Sequence, residues 1–377
     1  MQISVWEKES FYAPKDVIII GSGLVGLWSA WHLKKNDPSL SIAIVDRGII
    51  PTGASTRNAG FACFGSVTEL VADAAWYGED NMLQLVEMRY KGLQRIRKVF
   101  KDAAIDFDLC GGFELFTDKD AQQISELQHE TEQLNKLLHE ITGKKRTFKQ
   151  ADKKINALGL HQVTHLIENR LEGYLHSGKL CQVLLQAVQS MGVTVLNAVE
   201  ISGFEKINDH VLLYTNQLIH LKCNKLLVCT NAFARQLLPD LNIVPARGQV
   251  LVTTPIEGLP LKGTFHYDAG YYYFRNLGNR VLLGGARNKA FDEETTTELT
   301  ITDTIQQELE HFLKTYILPG YTYQITDRWS GIMGMGNEKL PIVKEVSPQV
   351  FCAVRMSGMG VALAPVIGEQ VAGLLVG

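Results

Sequence analysis

Six cysteines, Cys63, Cys110, Cys181, Cys223, Cys229 and Cys352, form no C-x-x-C pair and match no zinc spacing. That excludes a disulfide scaffold and leaves the expectation of reduced thiols, no metal site and a cytoplasmic protein. Neither sign of charge is in excess: 37 basic and 40 acidic residues leave a net charge of -3. A broad basic face for nucleic acid or anionic lipid is therefore not expected. Long apolar runs are also missing. The nearest approach is Val17 to Leu33, seventeen residues without Asp, Glu, Lys or Arg. It is short for a spanning helix, and Asp16 precedes it where a signal peptide would carry basic residues. No transmembrane segment is expected. There is no internal repeat and no low-complexity linker, and disorder and collagen-like structure are excluded by composition.

What is present is a chain of 377 residues, 46% apolar, long enough for roughly two domains. It opens with a βαβ pattern: a strand at Val17–Ile20, a helix at Leu24–Lys35 and a second strand at Ser41–Asp46. A polar, small-residue loop follows from Thr52 to Ser66. Leu83, Val86, Tyr90, Leu93, Ile96 and Phe100 recur at helical spacing between Asn81 and Lys101. Further strands are expected at Gly111–Phe116, Val193–Leu196, Val211–Tyr214 with His220–Leu221, and Leu226–Cys229. The second half reads as antiparallel strands at Gln249–Thr253, Gly270–Arg275 and Arg280–Gly284. Trp329–Gly336 is glycine-rich, Val350–Val354 is a strand, and Val361–Leu375 is a helix. The lysine-rich segment Lys144–Asn156 reads as a solvated surface. His161 and His165 are spaced i, i+4, but the weakly helical Gln-Val-Thr between them and the lack of a third ligand favour a packing role.

Gly21, Gly23 and Gly26 in Gly-Ser-Gly-Leu-Val-Gly form G-x-G-x-x-G directly after a strand and at the start of a helix. The first glycine permits the tight turn and the second lets backbone approach a pyrophosphate. The third lets helix and strand pack closely, with the helix N-terminus aimed at the anion. Ser22 sits inside this turn. Asp46 lies twenty residues beyond Gly26, where its carboxylate can accept from ribose hydroxyls. The motif points to a dinucleotide without separating NAD from FAD.

Asp46-Arg47-Gly48 followed by Gly53-Ala54-Ser55-Thr56-Arg57-Asn58-Ala59-Gly60 resembles the flavin loop of the D-amino-acid oxidase family, which includes glycine and sarcosine oxidases and amino-acid and polyamine dehydrogenases. The resemblance implies that Ala54 and Ser55 lie near the pyrophosphate and Ala59, Gly60 and Phe61 near the isoalloxazine, with Arg47 and Asn58 also among the cofactor-binding residues. Val199 looks like the family's adenine-contacting position, and Leu226–Ala232, with Thr230, like the strand and turn that close the nucleotide site. Ser357-Gly358-Met359-Gly360 resembles the C-terminal flavin motif. By that resemblance the backbone of Met356, Ser357, Gly358, Met359, Gly360, Val361 and Ala362 faces the flavin N1–C2=O edge. The likeness spans nearly the whole chain. It implies an α/β fold in which a Rossmann-type FAD-binding domain (1–80, 151–235 and 328–377) is interleaved with an α+β substrate domain (81–150 and 236–327) containing an antiparallel sheet. Covalent flavin is not expected, because neither Trp329–Leu340 nor Gly53–Gly60 offers a suitable Cys or His.

Relatives of this kind remove hydride from a carbon bearing an amine, pass it to flavin N5 and let the imine hydrolyse. The expected substrate is a small amine or N-substituted amino acid, with O2, a quinone or a carrier protein as electron acceptor. Free α-amino-acid oxidases of the family read W-x-G-x-R-P where this chain reads Trp329-Ser330-Gly331-Ile332-Met333-Gly334. The arginine that grips a substrate carboxylate is replaced by Met333. Candidate substitutes are Arg275, with Tyr271 and Tyr273 on one strand face, and Arg355. Two alternatives stay open: a flavin-bound sensor or scaffold without turnover, and an NAD-dependent dehydrogenase.

Overall fold

The computed structural model describes residues 2–217 and 219–377. The chain divides into two compact units, each assembled from separate stretches: 1–56, 177–245 and 333–377 in the first, 57–176 and 246–332 in the second. Residues 57–80 and 151–176 group with the second unit, although the sequence pattern assigns them to the nucleotide-type domain. Strand pairing is the reason. Phe61–Ala62 pairs with Gly173–Tyr174, while Phe148–Gln150 and His165–Asn169 extend the sheet of Gly112–Phe116.

The first unit is built on an eight-stranded sheet ordered Ile342–Ser347, Val350–Val354, His220–Val228, Lys15–Ile20, Ile42–Asp46, Thr194–Asn197. Ile201–Ile207 and His210–Thr215 join it as an antiparallel meander through His220–Val228. Lys15–Ile20 pairs in parallel with both neighbours, and Val17 to Ile20 are buried. A parallel strand covered on both faces needs continuous apolar residues, which explains the Val-Ile-Ile-Ile run. His220–Val228 is one nine-residue strand. Its outer half alternates and its inner half is wholly buried, so the sequence reads as two pieces. The helix Leu24–Asn36 packs against Gly360–Val376. A Cβ at Gly368 would stand 2.7 Å from the Trp28 Cβ, so only hydrogen lets the two helices close.

The second unit's sheet also has eight strands, ordered Ile325–Met335, Val244–Thr253, Arg280–Gly285, Tyr272–Leu277, Thr264–Tyr267, Gly112–Phe116, His165–Asn169, Phe148–Gln150. Cross-strand register sorts its side chains between two faces. Leu283, Phe274, Phe265 and Phe113 are register partners in one row, with ring centroids 4.7 Å apart for Phe265–Phe274 and 5.2 Å for Phe113–Phe265. The helix Asp303–Phe312 covers this core, with Phe312 stacked 4.6 Å from Tyr272. Each such ring contributes about 1.5–3 kcal/mol by burial. The neighbouring row, Gly284, Tyr273, His266 and Glu114, points to the other face by the two-residue alternation of strands. His165 begins a strand and His161 lies outside any element, so the two never share a helical face.

Candidate functional site

In the first unit the glycine turn is dictated by crowding. Gly21 holds φ +108°, and a Cβ there would stand 2.9 Å from the Cys229 carbonyl oxygen. At Gly26 a Cβ would fall 2.0 Å from the Gly21 carbonyl oxygen and 3.3 Å from Ile19. Asp46 braces the turn: one carboxylate oxygen accepts from the Ser22 amide and hydroxyl, both at 2.7 Å, and the other from the Gly48 amide at 2.8 Å. The Ser55 hydroxyl accepts from the Leu24 amide at 2.9 Å and sits against Gly23, while Ala54 opens the short helix Ala54–Arg57. The end of the second strand is tied to the adenine-side candidate, since Val199 donates its amide to the Asp46 carbonyl at 3.0 Å. Arg47 lies over the Phe233 ring at 4.2 Å.

The same unit carries the C-terminal arc. Arg355, Ser357 and Gly358 all adopt positive φ, so the chain winds tightly into the helix Gly360–Val376. The Asn231 side-chain oxygen accepts from the Arg355 and Met356 amides at 3.1 and 3.3 Å. Ser357 donates its amide to Gly334 at 3.1 Å, and Met359 donates to Met356 at 2.9 Å. The N-cap, Met359, gives the helix no side-chain cap. The amides of Gly360, Val361 and Ala362 thus open a helix N-terminus bearing about half a positive charge. Met333 packs its sulfur 3.5 Å from the Cβ position of Gly358.

In the second unit the rest of the Gly53–Gly60 loop is pinned at four points. The Trp329 indole donates to the Arg57 carbonyl at 2.9 Å, and Arg57 donates to Ser330 at 2.9 Å. Arg275 Nε donates to the Ala59 carbonyl at 2.7 Å, and Leu175 donates its amide to the Gly60 carbonyl at 2.8 Å. Asn58 caps the turn internally by accepting from the Gly60 amide at 2.8 Å. Phe61 then meets Tyr273 edge-on at 5.9 Å and His266 at 5.3 Å.

The sequence profile described as FAD dependent oxidoreductase (DAO) matches residues 16–374. The chain belongs to this FAD-dependent oxidoreductase family. The probable oxidoreductase OrdL of Rhizobium meliloti (strain 1021) is 24% identical, covering 96% of this chain and 83% of that protein. Among solved structures, glycine oxidase from Geobacillus kaustophilus superimposes with a TM-score of 0.78 at 18% identity, covering 96% and 95% of the two chains. L-proline dehydrogenase from P. horikoshii gives 0.74 at 18% identity, covering 96% and 93%. Those likenesses establish the α/β fold with its Rossmann-type unit and antiparallel second sheet. Family membership makes the chain an FAD-dependent oxidoreductase. Among the described residues no helix is long and apolar enough to cross a membrane.

The residues fit the cofactor of the family. In the first unit the Thr230 and Ser357 hydroxyl oxygens are buried without a partner, as groups awaiting a polar ligand are. Gly21 and Gly26 let strand, turn and helix close against one another, which aims the helix N-terminus as a pyrophosphate site needs. The two arginines proposed from sequence are both committed. Arg355 donates to the Leu340 carbonyl at 2.8 and 3.0 Å, to the Asn242 carbonyl at 3.3 Å and to Glu338 at 3.3 Å. It clamps loops. Arg275 is 5% exposed, holds Ala59 and lies over the Tyr174 ring at 4.5 Å. Burial lowers its pKa to about 10, so it stays cationic at neutral pH. Tyr273 and Arg275 do share a strand face, but the strand starts at Tyr272 and leaves Tyr271 in the preceding turn.

A buried polar cluster of the second unit has no signature in the sequence. His266 Nε2 lies 3.4 Å from Glu172, and the ligand-type atoms of Cys63, Glu172 and His266 fall within 4.8 Å of one another. Burial pulls the His266 pKa down, yet Glu172, Glu114 and Glu69 together hold it above the ordinary value. Glu114 accepts from Ser66 at 2.9 Å and from Thr68, and Gly112 is glycine because a Cβ there would overlap the Glu172 carboxylate. The members come from four separate stretches of chain. Only folding assembles them, so no local spacing could have announced them.

Proposed function

We propose that the protein oxidises a C–N bond of an amine or N-substituted amino acid. When bound, FAD would take hydride at N5 from the carbon bearing the nitrogen, and water would then convert the imine product to a carbonyl compound and an amine. The nitrogen of the neutral amine would give up its proton to water as the imine forms, so the hydride and that proton account for the two electrons and two hydrogens removed from the substrate.

In the first unit, Gly21, Ser22, Gly23, Gly26 and Ser55 would hold the pyrophosphate, and Asp46, Arg47, Val199 and Thr230 would surround the adenosine. The amides from Met356 to Ala362 would face the negative charge that reduced flavin gains, which a helix N-terminus favours. In the second unit, Asn58, Ala59, Gly60 and Phe61 would be presented to the ring by the four ties that fix the loop. Phe61 and Tyr273 exclude water with their rings. The Tyr273 hydroxyl, its pKa raised by burial to about 12, remains protonated and able to donate.

The observation that carries this reading is the aromatic floor itself. Phe61 and Tyr273 meet edge to face, and the Tyr273 ring lies over Gly284, where any Cβ would stand 2.5 Å from it. A hydride transfer needs such an oriented, dry surface and no strong protein base, because the cofactor supplies the chemistry. The test is the visible spectrum of the FAD-loaded protein, taken anaerobically before and after addition of pooled amines and amino acids. Bleaching of the oxidised-flavin band by one pool is the expected result. A band that no amine or amino acid bleaches, while dithionite still does, would overturn the proposal in favour of a flavin-bound protein without turnover.

A further inference from the structure

The second unit contains a cation that the sequence pattern did not single out. Arg287 follows Gly284-Gly285-Ala286 at the end of the strand Arg280–Gly285. Gly285 and Ala286 both hold positive φ, +125° and +60°, and a Cβ at Gly285 would fall 2.0 Å from the Tyr271 carbonyl oxygen. Ala286 donates its amide to that same carbonyl at 2.8 Å. The bend turns the chain back alongside Tyr271. The Arg287 guanidinium lies 4.7 Å over the Phe291 ring, and that ring meets Tyr271 edge-on at 5.8 Å.

Arg287 is half-buried, and among the described residues no carboxylate or carbonyl accepts from it. Its near acid, Glu294, is fully committed: Arg247 grips it at 2.7 and 3.0 Å, and Gln249 donates to it at 2.9 Å. Burial accordingly depresses the Arg287 pKa, against the fields of Tyr271, Glu294 and Tyr273. Tyr273, which feels Arg287 in return, gives its hydroxyl no acceptor among the described residues. Donors therefore outnumber acceptors around Arg287 and Tyr273, and Tyr273 is the residue that meets Phe61. Such a surplus suits an anion supplied from outside, and a planar guanidinium matches a carboxylate through two parallel hydrogen bonds.

We propose that Arg287, helped by the Tyr273 hydroxyl, binds the substrate's carboxylate and takes the place of the arginine that Met333 replaces. The substrate is then an amino acid, free or N-substituted, and not a polyamine. This rests on the C–N oxidation proposed above. Arg355 already spends its donors on the Leu340 and Asn242 carbonyls and on Glu338, and Arg275 is held by the Ala59 and Asn276 carbonyls.

The test titrates FAD-loaded protein with benzoate and, separately, benzamide, and reads the shift of the flavin spectrum on binding. Benzoate should bind and benzamide should bind weakly. Arg287→Gln should keep its FAD content yet lose roughly 10- to 100-fold in benzoate affinity, the loss expected for a charge-assisted pair. Benzamide affinity should change less than about threefold, within the scatter of a neutral contact. Where the Gln variant fails to load FAD, Arg287→Met is measured in its place. Equal benzoate affinity in wild type and variant would overturn the proposal, and so would a wild type that does not prefer benzoate. The two readings fail separately. Benzoate binding through Arg287 with no amine ever bleaching the flavin would refute the oxidation and leave the anion site. Bleaching by amines with or without a carboxylate alike would refute Arg287's role and leave the oxidation.

Discussion

Replacing Gly26 by alanine should cost the protein its cofactor before it costs the fold. The added Cβ would stand 2.0 Å from the Gly21 carbonyl oxygen, whereas contacts below 3.0 Å are not tolerated, so loop and helix must separate by about 1 Å. Both partners are rigid. The Gly21 amide is tied to the Val45 carbonyl at 2.8 Å, and the Gly21 turn lies against Cys229. Overpacking of this kind costs roughly 1–3 kcal/mol of stability, or several degrees in melting temperature. The larger effect falls on FAD, because the helix N-terminus and the loop amides would lose the common aim that a pyrophosphate needs. Two weakened charge-assisted hydrogen bonds already predict an affinity loss of at least about 100-fold. Gly53→Ala is the matched control, since nothing lies within 4 Å of its Cβ position. FAD content from the 450 to 280 nm absorbance ratio, with FAD titration of apoprotein, measures both variants. If Gly26→Ala binds FAD as tightly as Gly53→Ala, the steric account of the turn is refuted.

Three further outcomes are expected. The His266 pKa is raised in the folded state, so the stabilisation from its charged form is fully present below about pH 6.5 and fades as pH rises through the folded value. The melting-temperature gap between wild type and His266→Gln should therefore shrink from pH 6 to pH 9, and a gap constant with pH would exclude the Glu172 pairing. Arg275→Met should leave the Ala59 carbonyl without its charged donor, a loss of about 1.5–3 kcal/mol locally, while removing a cation that is costly to bury. Global stability should change little, but amide exchange at residues 58–61 should quicken, and unchanged exchange there would refute the clamp. Burial pushes the thiol pKa of Cys63 well up and those of Cys110, Cys181 and Cys223 to about 12. Native protein at pH 8 should react slowly with Ellman's reagent while the denatured chain releases six equivalents, and a fast native equivalent would contradict the burial.

What the sequence disclosed and what it hid divide along the range of the interactions. Val17–Ile20, Gly21-Ser22-Gly23 and the helix from Leu24 act within a dozen residues of one another, so pattern alone located them, and Val350–Val354 was legible as a short buried strand for the same reason. Trp329–Gly336 read only as glycine-rich, and most of it lies in Ile325–Met335, an eleven-residue strand. Within their own units, Gly331 is small because Arg57 packs 3.1 Å from its Cβ position, and Gly334 because the Asn231 oxygen lies 2.8 Å from its own. Glycine in a strand marked close approach there, not chain reversal. Arg275 shows the limit more sharply. Strand alternation placed it with Tyr273, but its partner, the Ala59 carbonyl, lies 216 residues away, and a backbone acceptor leaves no trace in residue types. Arg287 was hidden for the opposite reason. Its interest lies in the lack of an acidic partner, and a sequence shows which charges exist without showing which are already spent. Glu294 lies only seven residues on, near enough to suggest a local pair, until the fold reveals that Arg247 and Gln249 hold it. A functional cation is thus recognised by subtraction, once every structural arginine has been matched to what it holds.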